Sequence, residues 1–183
     1  MLKSTCTLVG ATALVSIGGS AYAFAETAQA SGVPKVGDTF VYKDGPNKDK
    51  VVTVADIVVG AAPVTVQAWD SEAKAVRDSD HATVLLWRVA PGSVPEDLKG
   101  SDAEGVLAFS AMCTHLGCML TDWKADLKVF VCPCHEAFFA PMEGGKNTGG
   151  ATSRTLPYLP IKAVDGKVVV ADKFIGYVGP KRG

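Results

Sequence analysis

The hydrophobic positions of this chain fall in short runs rather than long stripes. Thr39–Tyr42, Val51–Val59, Val64–Trp69, Thr83–Val89, Val106–Ala111, Lys128–Cys132, Leu159–Val164 and Lys167–Ala171 are apolar and rich in β-branched residues. Alternation within Val51–Val59 and Val64–Trp69 predicts half-buried strands. Asp165-Gly166 separates two runs and predicts a tight hairpin turn. Helical periodicity is scarce, and Pro95–Lys99 is the one short helical candidate. The pattern predicts an all-β fold of antiparallel strands in several small sheets. Between the runs, the polar stretch Asp70–His81 reads as an exposed loop with four solvated acids. Pro141–Gly150, rich in glycine, reads as a surface loop. Trp69, Trp87, Phe109, Trp123 and Phe130 are expected in the core, and His81 is an ordinary loop histidine.

The N-terminus has a different texture. Lys3 precedes a mildly apolar run from Thr5 to Phe24, which ends in Ala21-Tyr22-Ala23 and Ala23-Phe24-Ala25. These small-x-small endings predict a cleaved signal peptide over 1–25, with the mature chain starting near Glu26 and Cys6 lost. Roughly 20 such residues would also span a bilayer as a retained anchor. Gly10, Thr12, Ser16, Gly18, Gly19 and Ser20 dilute the run and favour cleavage. Residues 26–33, small and polar, form a tether. About 158 residues then remain, enough for one domain with a core. The net charge of −1 offers no basic surface for nucleic acid.

Scarce residues mark the chemistry. The chain has five Cys and three His, and four of those Cys and two of those His lie between Cys113 and His135. Cys113-Thr114-His115-Leu116-Gly117-Cys118 and Cys132-Pro133-Cys134-His135 each offer one Cys and one His in ligand spacing, with one further Cys. Two thiolates and two imidazoles suit a [2Fe–2S] cluster with sulfur ligands on one iron and nitrogen ligands on the other. Two cysteines are left over that could staple the loops. Tetrahedral zinc takes the same four ligands, but gives the extra cysteine in each run no role. Two plain disulfides leave both histidines unexplained.

CTHLGC followed by CPCH resembles the paired boxes of the Rieske iron–sulfur proteins. The resemblance continues through Gly149-Gly150-Ala151 and Leu156-Pro157-Tyr158-Leu159-Pro160, similar to the segment that covers the cluster and re-enters the sheet. It implies that Cys113, His115, Cys132 and His135 ligate a Rieske [2Fe–2S] cluster and that Cys118 and Cys134 form a disulfide. It implies antiparallel sheets divided into a base, residues 34–110 and 151–183, and an inserted cluster-binding lobe, residues 111–150, within one Rieske domain over 34–183. Leu116, Ala137, Phe139 and Gly150 fall in the cluster environment, and Leu116 could meet a docked partner.

The departures from the family pattern carry information. The family's quinol-oxidising members usually read CPCHGS-x-Y, where Ser and Tyr hydroxyls donate to the cluster sulfurs. Here Ala137 and Phe139 occupy those places, and Glu136 replaces the usual glycine. Fewer donors and an added negative charge predict a lower reduction potential. The covering loop usually reads Gly-Pro-Ala-Pro. Gly150-Ala151-Thr152-Ser153 has no proline, which predicts a less rigid cover.

The resemblance implies one-electron transfer in an exported respiratory system, from a quinol to a cytochrome c-type acceptor, with the reaction belonging to the complex. An alternative role is a periplasmic electron-transfer subunit of another oxidoreductase, similar to the small subunit of arsenite oxidase. A zinc-stabilised binding domain is the distant alternative. A disulfide implies the periplasm or the outer face of the cytoplasmic membrane, with membrane association if the anchor is kept. Met1-Leu2-Lys3 resembles the end of a twin-arginine motif, which implies export of a folded chain and a start upstream of Met1.

Overall fold

The computed structural model describes residues 32–90 and 92–181. The expected signal or anchor, and the tether up to residue 31, lie outside the described residues. Eleven strands are described: β1 Thr39–Tyr42, β2 Val64–Asp70, β3 Ala75–Val76, β4 Thr83–Arg88, β5 Val106–Ser110, β6 Asp122–Lys124, β7 Val129–Cys132, β8 Ala137–Ala140, β9 Lys146–Gly149, β10 Ile161–Val164 and β11 Lys167–Val170. They form a five-stranded sheet in the order β1-β2-β4-β5 with β3 added to β2, a four-stranded sheet β6-β7-β8-β9, and the ribbon β10-β11. All pairings between these strands are antiparallel. The all-β expectation holds.

Side-chain alternation explains how the sheets stack. In β4, Val84 and Leu86 enter one apolar core, while Leu85 and Trp87 enter a second. β5 divides likewise, with Val106 and Ala108 on one side and Leu107 and Phe109 on the other. A strand buried on both faces reads as a continuous apolar run, which is why VLAFS shows no polar alternation. The first core is completed by Phe40 and by Ile161, Val168 and Val170 of the ribbon. The second is completed by Phe130, Cys132, Ala137 and Phe139 of the four-stranded sheet. The central sheet is thus the wall on which the cysteine- and histidine-bearing loops are mounted.

Several local expectations need correction. Val51–Val59 is not a strand: it makes isolated bridges at Val51 and Thr53 and then a 3₁₀ turn over Val54–Asp56. The Asp56 carboxylate accepts from the Thr53 amide and hydroxyl, both at 2.7 Å, and this cap turns the chain. Asp70–His81 is not simply an exposed loop. It holds β3 and the buried Arg77, which pairs with Asp38 and, at 2.9 Å, with Asp70. Pro141–Gly150 is a 3₁₀ turn, Pro141–Glu143, followed by β9. Asn147 holds that polar strand in place by donating to the carbonyls of Phe138, 3.0 Å, and Gly149, 2.9 Å. The helical candidate Pro95–Lys99 is a 3₁₀ turn over Glu96–Leu98. The Asp165-Gly166 turn is as expected, with φ of 49° and 73° closing the Val164–Lys167 pair.

Candidate metal centre

The first loop leaves β5 and closes on itself through backbone bonds. The Cys113 amide donates to the Cys118 carbonyl at 2.8 Å, the Gly117 amide to the Cys113 carbonyl at 3.1 Å, and the Leu120 amide to the Ala111 carbonyl at 2.8 Å. Gly117 turns the loop with φ of +84°. The second loop is a hairpin turn: Cys132 ends β7 and pairs with Ala137 at the start of β8. Residues 133–136 bridge them, and Glu136 closes the turn at φ 50°, a region that favours glycine. That backbone requirement accounts for the family's usual glycine there.

The disulfide links Cys118 and Cys134, as the resemblance implied. Their sulfurs and that of Cys132 lie within 4.8 Å of one another. Cys113 and Cys132 are buried and free of disulfides. The Cys132 thiol and the backbone amides of His115 and Leu116 are the groups that act on the Cys113 thiol. Burial pushes the Cys113 thiol up to about 11, the Cys132 thiol pushes it the same way, and the two amides oppose them. The His115 and His135 rings meet edge-on with centroids 4.7 Å apart. All six cysteine and histidine side chains of the two runs therefore converge on one corner of the molecule.

One atom tests whether this corner suits a metal. His115 Nδ1 is buried and has no hydrogen-bond partner. Leaving such a group unsatisfied costs roughly 1–3 kcal/mol, and a metal at that nitrogen removes the deficit. With two free buried thiols beside it, the donor set fits two sulfur and two nitrogen ligands. A metal displaces the thiol protons and binds the thiolates.

The surroundings sort into wall, cover and tip. Ala137 and Phe139 are buried in the same apolar cluster as Cys113 and Cys132. Neither carries a hydroxyl, so the second-box side-chain donors are absent here. Gly150 lies at the covering segment with φ of +88° and presses on the Glu136–Ala137 peptide. Leu116 projects at 63% exposure, and His135 is exposed. The proline-free cover is tied down by hydrogen bonds: Thr114 Oγ1 lies 3.4 Å from Thr152 Oγ1 and donates to the Arg154 carbonyl at 3.2 Å.

Sequence reading missed Arg154 and the C-terminal tail. The Arg154 guanidinium donates to the carbonyls of Thr114, 3.1 Å, Gly179, 2.8 Å, and Tyr177, 3.0 Å. Pro180 abuts Gly117, and Gly179 abuts Met112. These contacts are to backbone or to small residues far apart in sequence, so no motif announces them.

Comparison with known proteins agrees with this geometry. The model of the Rieske [2Fe–2S] domain matches residues 47–160. A candidate respiratory nitrate reductase Rieske subunit of Haloferax mediterranei is 42% identical over 103 residues, covering 55% of this chain and 46% of that protein. The cytochrome bc1 complex Rieske iron–sulfur subunit of Corynebacterium diphtheriae is 40% identical over 74 residues, 40% of this chain and 18% of that one. The corresponding subunit of Streptomyces lividans is 28% identical over 141 residues, 73% and 81% of the two chains. This chain thus spans less than half the length of the first two. The two boxes, their convergence and the match over most of the described residues make this chain a member of the Rieske [2Fe–2S] domain family, with the cluster of that family as its cofactor.

Proposed function

We propose that this chain is an exported electron-transfer subunit. In this reading Cys113 and Cys132 hold one iron of the cluster, and His115 and His135 hold the other. When bound, the cluster takes up and releases one electron at a time. The observation that carries the reading is the partnerless, buried His115 Nδ1 beside two free buried thiols. The electron donor is a quinol and the acceptor a cytochrome c-type protein, by analogy with the bc1 subunits to which the chain is similar.

The residues divide the work. The apolar wall of Ala137, Phe139 and Leu156 excludes water from the sulfur ligands. The exposed His135 ring offers a nitrogen to a docked quinol, accepts a hydrogen bond from its hydroxyl and takes the proton. A ligated imidazole suits this work, because neighbouring charge sets its affinity for that proton. Exposed Leu116 gives the partner an apolar contact at the same tip. The disulfide supports a place in the periplasm or on the outer face of the membrane, where such bonds persist.

A second reading is a relay subunit of a different oxidoreductase, without quinol chemistry of its own. The 42% identity to the nitrate reductase subunit favours it. Purified, cluster-loaded protein separates the two in its native membrane or complex. Appearance of the reduced-cluster paramagnetic signal on addition of quinol supports the first. A signal that quinol leaves unchanged, but that a co-purified oxidoreductase reduces or oxidises, supports the second. A colourless protein with no signal overturns both.

A further inference from the structure

Ala137 and Phe139 carry no hydroxyl, and a cation is anchored on the first ligand loop. Arg154 is half-buried, and its guanidinium donates to three carbonyls: Thr114, Gly179 and Tyr177. Thr114 is the residue between Cys113 and His115, so one guanidinium arm sits within a peptide unit of both ligand positions. Its backbone amide is anchored by Thr152 Oγ1 at 3.2 Å, and its carbonyl accepts from Thr114 Oγ1 at 3.2 Å. Tyr177 places its ring 5.8 Å from the guanidinium carbon. Among the described residues no carboxylate lies within ion-pair distance of Arg154. Among the described residues the cation is thus held by neutral groups.

We propose that Arg154 is a positioning and potential-setting residue: a fixed cation, clamped between the first ligand loop and the C-terminal tail, that favours the reduced cluster and partly offsets the missing hydroxyl donors. The inference rests on the cluster reading above. One electron arriving from an outside donor adds one negative charge at the cluster. A nearby fixed positive charge favours that state, more so where low-dielectric surroundings screen it poorly. A guanidinium suits the task because its fork can hold several carbonyls at once while remaining charged at every working pH.

The test is a mediated redox titration of the full, cluster-loaded chain, followed by paramagnetic resonance. Wild type is compared with Arg154→Lys, Arg154→Gln and Tyr177→Glu. Arg154→Gln is expected to lower the reduced-to-oxidised ratio several-fold at the wild-type midpoint, whereas Arg154→Lys, which keeps the charge, stays close to wild type. Tyr177→Glu leaves the arginine and its backbone bonds in place but neutralises the charge, and is expected to shift the ratio the same way as Arg154→Gln. It also keeps the test alive if Arg154→Gln loses its cluster. The inference is overturned if Arg154→Gln or Tyr177→Glu titrates like wild type. It is also overturned if Arg154→Lys falls as far as Arg154→Gln, which would make the fork rather than the charge responsible. Absence of a Rieske signal from wild type would instead sink the cluster reading itself.

Discussion

Gly150 and Ala137 approach so closely that a Cβ on Gly150 would stand 2.5 Å from the Ala137 Cα and 2.7 Å from its amide nitrogen. The cover of the site and the turn that carries His135 are therefore one packed unit. No side chain fits between them, and the φ of +88° at Gly150 disfavours one on conformational grounds as well.

Gly150→Ala is expected to push the cover away from the second loop. A combined clash and left-handed backbone should cost roughly 2–3 kcal/mol, lowering Tm by about 5–10 °C. Differential scanning calorimetry of the loaded protein checks this. Cluster loss should accelerate in parallel, because the cover shields that turn. An unchanged Tm would show that the cover yields without cost.

Ala137→Ser with Phe139→Tyr restores the two hydroxyls that the family pattern places in the second box. Hydrogen bonds to a charged acceptor are worth about 1.5–3 kcal/mol. If half of that is specific to the reduced state, each hydroxyl raises the potential by some tens of millivolts, on the scale of ~59 mV per tenfold change for one electron. Both positions are buried beside the cysteine sulfurs. Redox titration of the double variant should show the rise. A potential that does not move would mean that the amides of residues 115 and 116 already saturate the sulfur acceptors.

Glu136→Gly relieves a side chain held at φ 50° and removes an exposed negative charge next to His135. Relief of the left-handed backbone and the extra freedom of glycine in the unfolded chain oppose each other, so stability should change by less than about 1 kcal/mol. The potential should rise, again by tens of millivolts. A fall in potential would show that Glu136 acts on the site other than through its charge.

The Cys118–Cys134 disulfide closes a loop of sequence separation 16 that contains Cys132 and adjoins His135. Cys118→Ser with Cys134→Ser should cost about 3 kcal/mol by the chain-entropy argument. Because that disulfide packs against the Cys132 sulfur, the variant should also release iron faster. Iron release to a chelator, with and without prior reduction, measures it. Equal rates would confine the disulfide to global stability.

Arg77 is 2% exposed and pairs with Asp38 and Asp70. Arg77→Met strands a buried carboxylate at Asp38 and is expected to cost about 3–5 kcal/mol in urea unfolding. Asp70 adds a pH signature. Its carboxyl is held below the usual aspartate range chiefly by the Ala73 amide, with the Glu72 amide and the Arg77 charge adding to it. A carboxyl lowered on folding stabilises fully above its unfolded pKa and loses that stabilisation as pH falls through the folded value. Acid unfolding of Asp70→Asn should therefore be shallower than that of wild type.

Much of this protein is legible without its coordinates. The all-β class follows from short, β-branched apolar runs, because a strand's burial pattern is written in its own residues. The Asp165-Gly166 turn follows because two consecutive left-handed residues are a local requirement. The two boxes are legible because ligand spacing within a loop is local, and clustering of scarce cysteines and histidines signals it. Other features depend on residues brought together only by folding. β9 is polar and forms because β8 offers it an edge and the Asn147 side-chain amide donates to the carbonyls of Phe138 in β8 and Gly149 in β9. Val51–Val59 alternates like a strand, but the Asp56 carboxylate caps a 3₁₀ turn at Thr53 that takes the chain out of it. Arg77 is buried because acids from residues 38 and 70 meet it. Arg154 reaches Thr114, Tyr177 and Gly179, partners 23 to 40 residues away. Which carbonyls the Arg154 guanidinium gathers, and which acids bury Arg77, belong to the tertiary structure, because hydrogen bonds and Coulomb forces act through space and not along the chain.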